Sequence, residues 1–74
     1  MNNIARQRKS IGLTQAEFAV ALGWKPSRIS NYELCIRKPN LEDCRLIIDG
    51  FKKLGADCSL DDIFPRPKGD GNAS

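Results

Sequence analysis

The sequence predicts an all-α fold of five short helices around one core, and three observations carry that expectation. Turn-forming residues break the chain at Gly12, at Gly23-Trp24-Lys25-Pro26, from Cys35 to Asn40 and from Gly55 to Ser59. Between the breaks apolar side chains recur at helical spacing, and no stretch alternates with period two for long enough to make a strand. Residues suited to capping helix starts, Thr14, Asn40 and Ser59, stand just ahead of three of the segments.

Taken in order, Ile4, Arg8 and Ile11 share one face of a first helix, and Leu13 follows Gly12 as a buried corner. Thr14 with Glu17 three residues on forms a capping box for a second helix, which is expected to turn Ala16, Ala19 and Val20 to one side before Gly23 stops it. Pro26 pre-sets the backbone angle in the first turn of a third helix, where its missing N–H costs nothing, and Ile29, Tyr32 and Glu33 fall on a common face. Asn40 caps a fourth helix whose apolar contacts are Leu41, Ile47, Ile48, Phe51 and Leu54. Ser59 caps a last short turn, with Asp62 three residues on and Ile63 and Phe64 packing back. Residues 65–74, PRPKGDGNAS, have no apolar anchor to offset the entropy of ordering. They read as a flexible tail behind a domain of residues 1–64.

A chain of 74 residues, 41% of them apolar, has room for one modest core and no second domain. It has no histidine to act as base or metal ligand, so an enzyme is not expected. Cys35, Cys44 and Cys58 are odd in number and lack CxxC spacing, so neither a zinc site nor a complete disulfide framework follows, and no cofactor is implied. Apolar runs are only a few residues long and the amino terminus has no apolar signal-like stretch. Reduced thiols, a cytoplasmic location and no membrane partner are the expectation. The net charge of +3 is unevenly spread: residues 1–40 carry +5 and the remainder −2. A polyanion would meet the first half.

The run from Thr14 to Glu33 contains two helices joined by a turn of about three residues that includes Gly23, with small Ala19 where the second must cross closely over the first. This is helix-turn-helix geometry. The order of residues resembles the Cro and repressor type of helix-turn-helix, the Xre-like, lambda-repressor-like domains of phage and bacterial regulators. The matching residues are Thr14-Gln15, Ala19, Gly23, Ile29-Ser30 and Glu33, followed by Pro39, and the resemblance covers roughly residues 3–64. It implies double-stranded DNA as ligand, with base contacts from Pro26, Ser27 and Asn31 and a phosphate contact from Gln15. It also implies an internal ion pair between Arg8 and Glu33. Two residues depart from the family pattern. Cys35 stands where a glycine usually ends the third helix, so either it adopts a left-handed conformation at a cost of about 1 kcal/mol or the helix ends differently. Lys25 replaces the usual Ser or Thr cap before Pro26.

Helical angles give the same reading face independently. With Ile29 pointing to the core and about 100° per residue, Ser27, Asn31 and Leu34 point away, with Arg28 and Ser30 on the flanks. Alone, such a face would be merely solvated; within the motif it reads bases. Asn31 suits adenine N6 and N7, Arg28 suits guanine O6 and N7, and Ser27 donates or accepts widely. Pro26 offers a base edge no polar group, which leaves apolar contact with a thymine methyl or none. Gln15 sits where free N–H groups and the helix dipole favour an anion. Arg37, Lys38 and Lys25 complete the expected phosphate contacts, whereas Lys9, Lys52 and Lys53 read as solubilising charges. Arg8 and Glu33 share their faces with core residues and are read as structural. Trp24 is expected to pack over the turn, Tyr32 to be core with its hydroxyl at the surface, Cys44 to be a small core residue, and Cys58 to be exposed.

One such reading head covers few base pairs, so a homodimer on a near-palindromic operator is expected, with self-contact around Cys58, Ile63, Phe64 and Pro65. The function this implies is a small nucleoid-associated transcriptional repressor similar to phage Cro proteins. The same fold serves antitoxins, which add a protein partner, and restriction–modification controllers. The almost wholly polar tail weakens the antitoxin alternative.

Overall fold

The computed structural model describes residues 2–65. They form five helices and no strand: α1 (Ile4–Ser10), α2 (Gln15–Leu22), α3 (Pro26–Glu33), α4 (Leu41–Lys53) and α5 (Leu60–Ile63). The expected tail lies, from residue 66 on, outside the described residues.

Local chemistry sets the helix starts. The Thr14 hydroxyl accepts from the Glu17 amide at 3.1 Å while the Thr14 amide donates to the Glu17 carboxylate at 2.9 Å, the reciprocal box expected for α2. Ser59 and Asp62 repeat it at α5. The Asn40 side chain accepts from the Asp43 amide at 2.7 Å and opens α4. Lys25 makes no side-chain cap to α3, whose start rests on Pro26 in the first turn.

The core draws on every helix: Ile4 from α1, Phe18 and Ala19 from α2, Ile29 and Tyr32 from α3, Ile47 and Phe51 from α4, and Ile63 from α5. Phe18 and Phe51 stack with ring centroids 4.3 Å apart, a contact worth about 0.5–1.5 kcal/mol beyond the area it buries. Gly50 leaves space for Leu22 beside this stack, since a Cβ there would lie 2.6 Å from the Leu22 Cδ2. This side of α2 therefore faces inward, and Val20 is 78% exposed instead of buried, as is Ala16. At the ends of α4, Leu41 and Leu54 also face solvent, against the expected pattern.

Three further expectations are corrected. Tyr32 is buried to its tip: its hydroxyl donates to Asp43 at 2.7 Å and does not reach the surface. Cys58 is buried, because the segment before α5 folds back on the core. Ile63 packs back as expected, but its burial withdraws it from the expected self-contact; the Asn3 amide donates to its carbonyl at 2.7 Å and docks the amino terminus on α5. Of the residues expected in a self-contact, only half-buried Phe64 and exposed Pro65 keep side chains at the surface.

α1 to α4 all close with the same pair of reversed hydrogen bonds. After α3, the Ile36 amide donates to the Asn31 carbonyl at 2.9 Å and the Cys35 amide to the Tyr32 carbonyl at 3.2 Å. The motif requires a left-handed residue; glycine supplies it three times, and Cys35, at φ +60°, supplies it here. A cysteine Cβ is strained in this region by about 1 kcal/mol. Cys35→Gly should therefore raise stability by about 0.5–1 kcal/mol, read as a rise of roughly 4–8 °C in Tm at the upper end of that range. An unchanged or lower Tm would count against the strain.

Candidate nucleic-acid interface

Two short helices and a turn build the candidate interface. Ala19 has no exposed surface where α3 crosses α2, and Gly23 takes φ +74° to turn the chain between them. α3 then turns Ile29 and Tyr32 inward and leaves Ser27, Arg28 and Leu34 exposed, with Ser30 and Asn31 half-buried. The angular expectation is met at Ser27, Ile29 and Leu34, whereas Asn31, expected to point away from the core, is half-buried.

Ser27, Arg28 and Asn31 open on one cleft together with Lys25 and Arg37, backed by Trp24 and Tyr32. Five of the expected base and phosphate contacts thus share a single concave surface carrying three cations. Pro26, Ser30, Gln15 and Lys38 lie outside the cleft lining. Pro26 and Lys38 are exposed, and Gln15 and Ser30 half-buried.

Arg8 and Glu33 pair as expected. The Arg8 Nε donates to Glu33 Oε2 at 2.7 Å and Nη2 to Oε1 at 3.1 Å, while Nη1 donates to the Leu13 carbonyl at 2.7 Å. Their side chains are only 9% and 5% exposed. Gln15 joins this pair, since its Nε2 donates to Glu33 Oε1 at 2.9 Å. An amide nitrogen has two hydrogens, so one fixes Gln15 against α3 and the other stays available at the start of α2. Burial raises the Glu33 pKa, but hydrogen bonds from Arg8 and Gln15 outweigh it and hold the carboxyl below its ordinary value.

Sequence reasoning missed Asp43. Its Oδ2 accepts from the Tyr32 hydroxyl at 2.7 Å and from Arg28 Nη2 at 3.3 Å. The Arg28 guanidinium also lies 4.4 Å above the Trp24 ring, and Trp24 meets Tyr32 edge-on with centroids 5.9 Å apart. Trp24 thus packs over the turn, as expected. The sequence offered only an acid in the first turn of α4, which reads as a helix-dipole partner. Asn2 was missed as well: its Nδ2 donates to the Tyr32 carbonyl at 2.8 Å near the end of α3.

With this geometry in place, the comparison with known families is direct. The Helix-turn-helix family model matches residues 4–54, and the chain belongs to that family, in its Cro and Xre-like form. It is a DNA-binding regulator. No curated protein and no solved structure matches it significantly. Among the described residues no helix is long and apolar enough to cross a membrane, and no cluster of three or more His, Cys, Asp or Glu is placed to hold a metal ion.

Because the folded pKa of Glu33 lies below its unfolded value, its stabilising contribution is complete above about pH 4.5 and is lost as the pH falls through the folded value. Glu33→Ala should cost about 3–5 kcal/mol at neutral pH by stranding Arg8, and should flatten the acid limb of the stability curve. Urea unfolding from pH 7 to pH 3 checks both; an acid limb as steep in the variant as in the wild type would contradict the assignment.

Proposed function

We propose that this chain is a transcriptional repressor that occupies a near-palindromic operator as a homodimer and blocks polymerase, in the manner of phage Cro proteins. The observation that carries the reading is the division of α3. Its inner side is core, while its outer side shares one cleft with three cations and the amide of Asn31. In this reading α3 lies in the major groove, where Pro26, Ser27, Arg28, Ser30 and Asn31 face the bases. Gln15, Lys25, Arg37 and Lys38 meet phosphates around it. Two copies stand on half-sites about one helical turn apart. Phe64 and Pro65 supply the self-contact.

Selection of bound duplexes from a random pool by the purified chain tests the proposal. It should return a consensus with inverted symmetry, and a pool without preference would overturn it. Asn31→Ala should weaken binding to the selected duplex by about 1–3 kcal/mol and leave random duplex unaffected, as measured by fluorescence anisotropy. Equal losses on both would remove Asn31 from the base-reading set. Arg37→Ala or Lys38→Ala should weaken all sequences alike and lower the slope of log K against log salt by about one; an unchanged slope would exclude phosphate contact.

A further inference from the structure

The network behind the cleft has a property that a purely structural brace does not need. Arg28 presents five N–H donors in one plane. One face of that plane lies 4.4 Å over Trp24, and Nη2 lies 3.3 Å from Asp43 Oδ2. The Asp43 side chain is only 11% exposed, while that of Arg28 is 48% exposed and opens on the cleft shared with Ser27 and Asn31. Asp43 is itself held: Tyr32 donates to the same oxygen, and Asn40 caps its backbone amide. A flexible cation is thus stacked on one side and tethered at one nitrogen, with about half of its side chain still exposed at the cleft.

We infer that Asp43 is a positioning residue for base recognition: with Trp24 it holds the Arg28 guanidinium as a fixed fork, so that a residue behind the cleft sets how sharply the protein selects guanine. The inference rests on the reading of α3 as the base-reading helix. An untethered arginine samples many rotamers and meets phosphates and bases alike, whereas a fixed fork matches the paired O6 and N7 acceptors of guanine and no other base edge in the major groove. Ordering the side chain before binding also removes an entropy cost from the specific complex. Phosphate capture of Arg28 is disfavoured for a separate reason: moving the guanidinium away would leave the Asp43 carboxylate without its cation.

The test uses the full chain on the duplex selected above and on a panel with each base pair changed in turn, read by anisotropy, with the Tm of every variant alongside. Wild type should prefer guanine at one position of each half-site by roughly 5- to 150-fold. Arg28→Ala and Arg28→Lys should abolish that preference, the lysine variant while keeping affinity for random duplex. Asp43→Asn keeps an acceptor for Tyr32 and removes the charge; it should reduce the guanine preference by at least about threefold and leave the position read by Asn31 unchanged. The double variant Arg28→Ala with Asp43→Asn should match Arg28→Ala alone. If Asp43→Asn does not fold, Trp24→Leu reads the same positioning through loss of the stacking face. A positioning variant that lowers Tm with the guanine preference intact, or shifts every sequence by one common factor, overturns the inference. Arg28→Ala without effect at any position overturns it while the Asn31 preference stands. Loss of all preference in the wild type overturns the underlying reading instead.

Discussion

The placement of α3 depends on one carboxylate. Glu33 closes that helix, and its two oxygens gather Arg8 from α1 and Gln15 from α2. A buried carboxylate is costly unless paired and hydrogen-bonded, and here a forked guanidinium and an amide meet that requirement. Such pairs add little net stability compared with apolar packing, but they admit very few geometries. Three short helices are thereby fixed in one relative arrangement, and the outward side of α3 follows from it.

A second anchor holds the opposite edge. α3 has eight residues, too few to persist alone in water, so tertiary contacts must define it. Glu33 holds its last turn, Ile29 fills the middle, and Arg28 and Tyr32 reach across to Asp43 on α4. The two polar anchors differ in access. Arg8 is enclosed with Glu33, whereas Arg28 keeps about half of its side chain open toward the cleft. The first can only shape the domain; the second also lines the cleft.

What could be read in the sequence follows the range of each interaction. Caps at Thr14, Asn40 and Ser59 act over three residues, so spacing alone located the helix starts. The Arg8–Glu33 pair spans 25 residues and was legible only because both residues share faces with apolar neighbours and match the family's internal pair. The expected burial of Val20 failed because residues 18–22 are all apolar and spacing alone does not select a face; the ring of Phe51, some thirty positions away, decides that Phe18 is buried. Cys58 and Ile63 belong to a segment whose single turn of helix carries little periodicity, and their burial follows from how that segment docks on the core. Asp43 had no local signature beyond that of a first-turn acid, since its side-chain partners lie 11 and 15 residues away on another helix.

The first turn of α3 shows folding and recognition competing for the same positions. Lys25 cannot cap the helix with its side chain, so the start is defined by the fixed φ of Pro26. That solution places a residue without polar side-chain atoms at the leading edge of the proposed reading face. Ser27, one residue on, has a short reach. Direct polar readout then shifts toward Arg28 and Asn31, the longer side chains of that face, and the weight on how Arg28 is held rises accordingly. A chain with a polar first residue in α3 would need its Arg28 position less. On the proposed reading, the proline that secures the helix gives the tether at Asp43 more weight in sequence selection.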